Sequence, residues 1–436
     1  MKKYKIMTLG CKVNQYESEA MEELFNSNGY KKVENNEPAD VYVINTCTVT
    51  GQAAAKSRQT ISRARRKNPN AKIAVVGCYS QVSPQEVAEL EGVDVIVGTK
   101  HRSRILELLD EAERINQTIN VVDNIKKNQE FDELDSATNR DMTRAYLKIQ
   151  EGCNMFCTYC IIPYARGPIS SRKMENIVEE TKKLAAKGYK EVILTGIHVE
   201  SYGKDQGKDY FRLIDVIEHV AEVEGIERIR LSSVEPGIIS HDFLTRLKNT
   251  YKACDHFHLS LQSGSDSILK SMNRKYRTAE YKEKVGLIRE YFPDAGITTD
   301  IIVGFPGETE ELHEETMNFV KGITFSKIHV FPFSRRKGTP AYDFPDQVLN
   351  EVKKKRAHEL SELERSISDR FLDSFIGKEL SVLIELESDD ERYSSGYSTN
   401  YLRVNVQKNY DLVNQIVKVK VIERDGEELK GIVVGG

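Results

Sequence analysis

The sequence of 436 residues predicts an α/β protein in three parts: an N-terminal open parallel α/β sheet, a central incomplete (βα)6 barrel and a small C-terminal antiparallel β-barrel. Over residues 1–123, short runs rich in Val and Ile alternate with helical stretches, the pattern of a parallel sheet covered on both faces. Six further strand–helix units occupy residues 144–370, two short of a full eight-stranded barrel. Residues 371–436 contain short strands with no helical run between them, which favours a small closed barrel.

The N-terminal part contains four strand candidates, each ended by turn residues, with helices between them. The stretch that follows, residues 124–143, is polar and charged with little periodicity, and we expect a linker there. The predicted strands are Lys5–Leu9, Val41–Asn45, Lys72–Gly77 and Val93–Gly98, and the predicted helices are Gln15–Asn28, Ala53–Lys67 and Pro84–Leu90.

The central and C-terminal parts are predicted from the same kinds of pattern. The barrel strands are Ala145–Gln150, Glu191–Thr195, Arg228–Ser233, His256–Leu261, Thr298–Val303 and Lys327–Phe333, separated by helices that include Glu175–Lys187, Phe211–Val223, Ala279–Tyr291 and Glu311–Lys321. The strands of the C-terminal barrel are Glu379–Glu387, Tyr401–Val406, Gln415–Val421 and Gly431–Val434.

Composition excludes several classes of protein. Lys and Arg number 63 against 67 Asp and Glu, a net charge of −4, so any surface that binds nucleic acid must be locally basic. No run of about 18 apolar residues exists, and residues 1–9 lack the apolar region of a signal peptide. We therefore expect a cytoplasmic protein without a membrane span. An odd count of seven cysteines argues against a disulfide framework there.

The sharpest local signal is a C-x3-C-x2-C run formed by Cys153, Cys157 and Cys160, just after the first barrel strand. Three thiolates within eight residues can face one point, and such soft ligands suit an iron–sulfur cluster. A structural zinc site would need a fourth ligand at similar spacing, and the closest histidine downstream is His198. The remaining alternative is three unrelated core cysteines.

This run, after the first strand of a parallel barrel, resembles the motif of the radical S-adenosylmethionine superfamily. The resemblance implies a 4Fe-4S cluster with one open iron that chelates the amino and carboxylate groups of the cofactor's methionine. One electron from the cluster then releases a 5′-deoxyadenosyl radical that abstracts hydrogen. The position at the carboxyl ends of barrel strands is where such barrels place their active sites.

A second group of cysteines is spread along the N-terminal part. Cys11, Cys47 and Cys78 each follow a predicted strand, and the loops at the carboxyl ends of parallel strands meet at one edge of a sheet. Gly10 and Gly77 beside two of them permit tight turns. The three can therefore form one site, although chance placement remains an alternative. We interpret the seventh cysteine, Cys254, as a small buried apolar residue.

Two sites of three cysteines in one chain resemble the methylthiotransferases. The local sequences Leu9-Gly10-Cys11-Lys12-Val13-Asn14-Gln15-Tyr16-Glu17, Asn45-Thr46-Cys47-Thr48-Val49-Thr50 and Val76-Gly77-Cys78 are similar to that family's N-terminal motifs. The residues after Cys11 resemble the branch acting on threonylcarbamoyladenosine. The isopentenyladenosine branch typically has Gln-Met-Asn there, and the branch acting on a ribosomal protein has Pro-Lys-Asn.

The resemblance implies an activity and its partners. The enzyme would add a methylthio group to carbon 2 of N6-threonylcarbamoyladenosine beside the tRNA anticodon, with two 4Fe-4S clusters and S-adenosylmethionine as cofactors. S-adenosylmethionine would supply both the methyl group and the radical, and flavodoxin or ferredoxin would supply electrons. The alternatives are isopentenyladenosine in tRNA or a ribosomal protein as substrate, and a non-catalytic RNA-binding protein with structural metal sites. The sequence leaves the oligomeric state open.

The superfamily resemblance also implies cofactor-binding residues at the carboxyl ends of the barrel strands. Glu235 is a candidate for the ribose hydroxyls or the amine, with a surface carboxylate before a proline turn as the alternative. A helix cap at Ser265 is the alternative for the polar segment that begins at Gln262. The full set of candidates is Thr195, Gly196, Ser233, Glu235, Gln262, Gly304, Phe305, Pro306 and Gly307.

Basic residues are concentrated in a few places that are candidates for tRNA phosphate contact. A charge run is more often a solvated face, and that alternative stays open for each. The terminal barrel resembles the TRAM-like RNA-binding domain that closes the family. The candidate residues are Arg63, Arg65, Arg66, Arg336 and Arg403, and two further basic runs are Lys270–Arg277 and Lys353–Arg356.

Overall fold

The computed structural model describes residues 1–34, 37–125, 131–134, 143–385 and 390–434. Most of the predicted linker, residues 124–143, lies outside these ranges. In the part of the chain so described, no helix is long and apolar enough to cross a membrane.

The N-terminal part is a six-stranded sheet in which every strand pair is parallel, in the order β2-β1-β3-β4-β5-β6. Its strands are β1 (Lys3–Thr8), β2 (Lys31–Lys32), β3 (Val41–Thr46), β4 (Lys72–Gly77), β5 (Val95–Ile96) and β6 (Ile119–Asn120). Its helices are α1 (Lys12–Ser27), α2 (Gly51–Lys67), α3 (Cys78–Val82), α4 (Pro84–Ala88) and α5 (Ile105–Ile115).

Helices cover both faces of this sheet because its central strands are apolar on both sides. Along β3, Tyr42 and Ile44 pack with Ile61 of α2, whereas Val41 and Val43 pack on the other face with α1 and α5. Helix α2 begins at a cap in which the Thr50 side chain accepts from the Ala53 N–H at 3.1 Å. The loops at the carboxyl ends of β1, β3 and β4 are thereby held side by side.

The central part is an open barrel of six parallel strands. One sheet has the order β11-β10-β7 and the other β12-β13-β14, and isolated parallel bridges at Ile229–Ala253 and Val234–Leu259 join them. The strands are β7 (Arg144–Lys148), β10 (Glu191–Thr195), β11 (Arg228–Leu231), β12 (His256–His258), β13 (Gly296–Val303) and β14 (Lys327–Pro332); a short ribbon is formed by β8 (Gln150–Glu151) and β9 (Ser170–Ser171).

The helices of this part pack on the outside of the barrel. The last of them, α13, carries buried residues at helical spacing, among them Arg356, Leu360 and Ile367, although half of its residues are charged. The helices are α6 (Ile162–Arg166), α7 (Met174–Ala186), α8 (Leu213–Ala221), α9 (His241–Asn249), α10 (Asp266–Ser271), α11 (Thr278–Tyr291), α12 (Glu310–Lys321) and α13 (Asn350–Asp373). Single 3₁₀ turns cover Arg102–Arg104, Val199–Ser201, Pro236–Ile238, Pro340–Tyr342 and Tyr410–Leu412.

Side chains alternate along the barrel strands between the helical layer and the interior. On β13, Ile297, Ile301 and Val303 join the main core, and on β12 Phe257 does so. The intervening residues, such as Asp300 on β13, therefore face the barrel interior. This interior opens sideways between β7 and β14, the two edge strands.

The C-terminal part is a closed five-stranded barrel in the order β15-β16-β17-β19-β18. It packs against the amino ends of the central strands, where Arg230 lies 4.6 Å from the ring of Tyr401 and Arg144 lies 4.4 Å from that of Tyr397. Both tyrosines therefore lie in a contact between two parts of the chain. The strands are β15 (Glu379–Glu385), β16 (Tyr393–Ser398), β17 (Arg403–Gln407), β18 (Ile416–Asp425) and β19 (Glu428–Val433).

The predicted fold class is confirmed in all three parts. Strands β4 and β10 have the predicted bounds, and most others differ by one to three residues at an end. Helix α5 and the two-residue strands β2 and β6 were not predicted. Helix α13 and strand β16 were also missed, because the first is rich in charged residues and the second has the sequence Tyr-Ser-Ser-Gly-Tyr-Ser. The closed barrel also contains one parallel pair, β17 with β19, within an otherwise antiparallel arrangement.

Candidate active site

Cys11, Cys47 and Cys78 converge at the carboxyl ends of β1, β3 and β4. Cys11 is the N-cap residue of α1, Cys47 follows β3 directly, and Cys78 opens α3. Gly10 has a φ of +110°, and a Cβ added there would lie 3.1 Å from the Cys47 Sγ. Only glycine fits this turn, because a side chain would fill the space between the loops of Cys11 and Cys47.

The three thiols of this site are within electrostatic reach of one another. Burial raises the pKa of the Cys78 thiol to about 11, and the nearby charges of Cys47 and Cys11 add to that shift. Burial likewise raises the pKa of Cys47, with Cys11 contributing. Three convergent soft ligands fit a four-iron cluster that keeps one iron open, and cluster binding would replace the three thiol protons.

Asn14 and Asn45 fix the loops that carry the thiols. The Asn14 side chain donates to the carbonyls of Leu9 at 2.7 Å and Thr46 at 3.0 Å. The Asn45 side chain in turn donates to the Asn14 carbonyl at 2.8 Å. The Asn in the Lys-Val-Asn segment after Cys11 therefore connects the first cysteine loop with the second.

Arg166, from α6 of the central barrel, reaches into this N-terminal site. Its Nε donates to the Cys78 Sγ at 3.2 Å and its Nη2 to the Asn14 Oδ1 at 2.6 Å. The same guanidinium pairs with Glu17 of α1 and with Glu151 of β8, and it is 1% exposed. Sequence reasoning missed Arg166, which has no local motif to distinguish it from a surface arginine.

Arg166 belongs to a buried ionic network that joins the two parts of the chain. Lys148 Nζ lies 2.9 Å from Glu17 and 3.1 Å from Glu151, and Arg102 pairs with Glu17 at 3.1 Å. Burial acts to raise the pKa of Glu17, but Arg102, Arg166 and Lys148 outweigh it and hold that pKa well below its usual range. Both carboxylates are therefore charged, and Glu17 of the N-terminal part depends on Lys148 and Arg166 of the central part as well as on Arg102.

Cys153, Cys157 and Cys160 lie on the loop after β8. The Cys153 N–H donates to the Gly167 carbonyl at 3.0 Å, and the Cys160 N–H donates to the Cys157 carbonyl at 2.9 Å. Burial raises the pKa of Cys153 to about 11 and that of Cys160 to about 12, and the charge of Cys157 adds to both shifts. The donor set fits a second four-iron cluster as well as the first.

A buried arginine also contacts this second trio. Arg274 Nη1 donates to the Cys157 Sγ at 3.3 Å, its Nη2 pairs with Glu235, and its Nε donates to the Tyr276 hydroxyl at 3.0 Å. The sequence grouped Arg274 with the basic run Lys270–Arg277. That interpretation is wrong for Arg274, because its side chain is only 4% exposed and faces the cysteine loop.

The residues after β10 and β11 form a polar wall beside the second trio. The Gln150 side chain donates to the Gly152 carbonyl at 2.8 Å and accepts from the His198 N–H at 2.7 Å, so it links the cysteine loop to the β10 loop. Thr195 is buried at the end of β10, and a Cβ at Gly196 would lie 2.9 Å from the Gln150 carbonyl.

Glu235 is a buried, paired carboxylate, whereas Ser233 is exposed. The Glu235 N–H donates to the Glu200 carboxylate at 2.7 Å. Burial raises the pKa of Glu200 to about 7, and burial lowers the pKa of His198 to about 4. Glu235 and Arg274 thus place one carboxylate and one cation next to the cysteine loop.

The turn after β13 is built for close packing. Gly304 has a φ of +71°, its N–H donates to the Glu308 carboxylate at 2.8 Å, and the side chain of Lys353 occupies the space of a Cβ. Phe305 is buried against Phe333 with ring centroids 5.3 Å apart. Other candidates nearby are the buried Pro306, the exposed Gly307, whose N–H donates to the Asp346 carbonyl at 3.0 Å, and Gln262, which has a φ of +70° and bridges to Ile301.

The candidate tRNA-binding arginines differ in their surroundings. Arg63 and Arg66 are exposed on α2, whereas Arg65 bonds to the Pro69 and Gly92 carbonyls. Arg336 donates to the Thr48 hydroxyl, next to Cys47. Arg403 pairs with Glu428 at 3.1 Å in the C-terminal barrel.

Comparisons with known proteins support the assignment of both sites to one family. Residues 3–98 match the family described as uncharacterized protein family UPF0004, and residues 147–320 match the radical SAM superfamily. The threonylcarbamoyladenosine tRNA methylthiotransferase MtaB of Bacillus subtilis (strain 168) is 44% identical over 95% of this chain and 93% of its own. The MtaB of Aquifex aeolicus (strain VF5) is 41% identical over 95% and 98%.

Two further similarities bear on the substrate and the fold. A tRNA-2-methylthio-N(6)-dimethylallyladenosine synthase of Clostridium tetani (strain Massachusetts / E88) is 38% identical over 98% of this chain and 95% of its own. Among solved structures, the radical S-adenosylmethionine methyltransferase TsrM of Kitasatospora setae covers 78% of this chain and 77% of its own, with a TM-score of 0.57 at 14% identity, which shows the fold alone. The family that the cysteine motifs predicted is confirmed: the chain belongs to the tRNA methylthiotransferases, and its central barrel is a radical SAM domain.

Proposed function

We propose that this chain adds a methylthio group to carbon 2 of N6-threonylcarbamoyladenosine at position 37 of tRNA, next to the anticodon. The observation that carries the proposal is the pair of three-thiol sites, one in each of two packed parts of the chain. Arg166 contacts a thiol of the first site from the domain that carries the second. An enzyme that must bring sulfur and a radical to one carbon needs such a fixed spacing.

The cofactors of the reaction are two 4Fe-4S clusters and S-adenosylmethionine, which together supply the one-electron chemistry that an inert aromatic C–H bond requires. Cys11, Cys47 and Cys78 hold the cluster associated with sulfur. The second trio holds the cluster that binds S-adenosylmethionine. Thr195, Gly196 and Glu235 lie beside that second trio, where they orient the cofactor's polar groups, and the remaining cofactor-binding candidates are Ser233, Gln262, Gly304, Phe305, Pro306 and Gly307.

The substrate is supported by two comparisons of unequal weight. The relatives named for threonylcarbamoyladenosine reach 44% and 41% identity, against 38% for the one named for dimethylallyladenosine. The segment Lys12-Val13-Asn14 after the first cysteine resembles the former branch. Flavodoxin or ferredoxin is the proposed electron donor, the cytoplasm the proposed location, and Arg63, Arg66 and Arg336 the proposed contacts to tRNA phosphate.

The test is mass spectrometry of tRNA nucleosides from cells with and without this gene. We expect methylthio-threonylcarbamoyladenosine to disappear and its unthiolated precursor to accumulate when the gene is removed. A change in the isopentenyladenosine pair instead would overturn the substrate but keep the chemistry. If no tRNA nucleoside changes, a ribosomal-protein substrate replaces the tRNA proposal.

A second experiment separates an enzyme from a protein with structural metal sites. The anaerobically reconstituted and reduced protein is incubated with S-adenosylmethionine, and 5′-deoxyadenosine is measured. We expect its formation, since structural sites would leave S-adenosylmethionine intact. An unchanged cofactor would overturn the enzymatic proposal.

A further inference from the structure

Three polar side chains inside the barrel belong to neither cysteine site. His258, Asp300 and His329 lie on the adjacent strands β12, β13 and β14, with Asp300 paired in register with His329. One ligand atom of each lies within 4.8 Å of the others. Their neighbours along the strands, such as Phe257 and Ile301, pack into the core, so all three point into the interior.

This cluster keeps hydrogen-bonding capacity that the protein does not use. The His258 Nδ1 bonds to the Thr298 hydroxyl at 3.0 Å, and its Nε2 lies 3.3 Å from the Asp300 carboxylate. The His329 ring stacks near His258 with centroids 6.0 Å apart. The Asp300 side chain is 32% exposed and His329 is exposed, so both can bond to a molecule that enters the interior.

The position of the cluster relates it to both cysteine sites. Asp300 shares a strand face with Gly304 and lies four residues before it, roughly 13 Å at the usual rise of a strand, so the cluster is below the rim where the cofactor-binding turns lie. Lys12 follows Cys11 directly, and burial lowers the pKa of His329 with a small added contribution from the Lys12 charge. The cluster therefore lies inside the barrel, below the rim that carries the second trio and within electrostatic reach of the residue that follows Cys11.

We propose that His258, Asp300 and His329, together with Lys12, bind the threonylcarbamoyl substituent of the substrate base. The inference rests on the proposed function and assigns the part of the enzyme that selects its substrate. The substituent carries urea N–H donors, carbonyl and hydroxyl groups and a carboxylate. Asp300 accepts from a urea N–H, the imidazoles bond to the carbonyl or hydroxyl oxygens, and the Lys12 ammonium pairs with the carboxylate.

The same groups disfavour an apolar dimethylallyl substituent. A dimethylallyl group enclosed here would displace the water around Asp300 and the two imidazoles. It could not replace the hydrogen bonds that this water makes to them. A site built to bond polar groups of a substrate can reject an analogue that lacks them by factors on the order of 10⁴. The polar interior therefore favours threonylcarbamoyladenosine over dimethylallyladenosine, the two substrates for which similar relatives are named.

The test compares anticodon stem-loop RNAs that differ only at position 37. Dissociation constants are measured under anaerobic conditions for the threonylcarbamoyl and dimethylallyl forms, with the reconstituted protein. The wild type is expected to bind the threonylcarbamoyl form at least about tenfold more tightly than the dimethylallyl form. Asp300→Leu and His329→Phe are each expected to reduce that ratio of dissociation constants by about tenfold, because each variant loses one hydrogen bond to a charged or polar partner. His358→Phe, on the exposed face of α13, is the matched control and keeps the wild-type ratio.

Each outcome has a distinct meaning. Cluster absorbance and thermal unfolding identify any variant that is misassembled, and in that case Asp300→Asn and His329→Gln are measured instead. If the wild type prefers the threonylcarbamoyl form and all variants keep its ratio, the inference is wrong while the proposed function stands. If the wild type prefers the dimethylallyl form, the proposed function itself fails. A stoichiometric divalent metal that is lost in Asp300→Leu would overturn the inference by showing that the cluster is a metal site.

Discussion

The two cysteine sites are chemically alike but are assembled in different ways. The second trio occupies eight residues of one loop, whereas the first gathers Cys11, Cys47 and Cys78 from three strand ends. The loop site is held by its own backbone hydrogen bonds, while the spread site exists only when the parallel sheet has formed. A local motif therefore specifies one site, and topology specifies the other.

Each site also has one buried arginine that donates to one cysteine sulfur. Arg274 comes from the same barrel as its partner Cys157, but Arg166 comes from a different part of the chain than its partner Cys78. Hydrogen bonds to ligand sulfurs are one of the means by which proteins tune iron–sulfur clusters. For the cluster proposed at the first site, that tuning would depend on the packing of two domains.

The largest expected effect separates the roles of the two trios. Cys157→Ala should reduce 5′-deoxyadenosine formation to background, because the cluster beside the cofactor loses a ligand. Cys47→Ala should keep that reaction but yield no methylthio product. Product analysis by chromatography and mass spectrometry, with reduced enzyme and tRNA, checks both.

Cys254→Ala is the matched control, since Cys254 is equally buried but lies outside both trios. It should retain both products. Normal deoxyadenosine release from Cys157→Ala would contradict the assignment of the second site.

A smaller effect concerns the stability of the apoprotein. Arg166→Met leaves Glu17 and Glu151 buried without one of their cations, which is expected to cost about 3–5 kcal/mol of the free energy of unfolding. Arg274→Met should cost less, because Glu235 is 12% exposed at its side chain while Glu17 is fully buried. Urea unfolding monitored by circular dichroism measures both.

Glu17→Gln combined with Arg166→Met serves as the control for this mechanism. The double variant should lose less free energy of unfolding than the two single variants together, because it removes the unpaired Glu17 charge along with the Arg166 charge. Equal costs for Arg166→Met and Arg274→Met would show that the ionic network does not hold the two domains together.

The comparison also shows what the sequence can and cannot predict. The cysteines, the parallel sheets and the strand ends follow from spacing and from apolar runs, because these signals are local. Arg166 and Arg274 do not, since a buried arginine and an exposed one have the same local sequence, and only the packing of distant loops distinguishes them. For α13 a signal did exist, because its buried residues recur at three- and four-residue intervals despite the charge between them.

A pH-dependent effect is expected in the loop after β10, beside the second site. Burial raises the pKa of Glu200 from 4.5 to about 7, so the stability associated with its neutral form is present below pH 4.5 and is lost as the pH rises through 7. Burial lowers the pKa of His198 from 6.5 to about 4. The stability associated with the neutral imidazole is therefore present above pH 6.5 and is lost as the pH falls through 4. The two trends oppose each other in the wild type.

Each trend should become visible when the wild type is compared with a single variant. We expect the difference in their free energies of unfolding to change by about 2 kcal/mol across the relevant pH range. Relative to Glu200→Gln, the wild type should lose free energy of unfolding between pH 4.5 and 7. Relative to His198→Asn, it should gain between pH 4 and 6.5. Denaturant unfolding at a series of pH values measures both differences, and flat differences would mean that these groups are not buried as described.

The smallest expected effect concerns α2, the helix that begins just after the loop of Cys47. Arg63→Ala and Arg66→Ala should each weaken tRNA binding a few-fold and reduce the slope of log affinity against log salt by about 1, because each removes one phosphate contact. Arg65→Ala should leave the slope unchanged and lower the stability instead, because its guanidinium bonds to Gly92 and Asp94 within the domain. If all three variants change the slope equally, Arg65 also contacts a tRNA phosphate, and its bonds within the domain do not keep it from the tRNA.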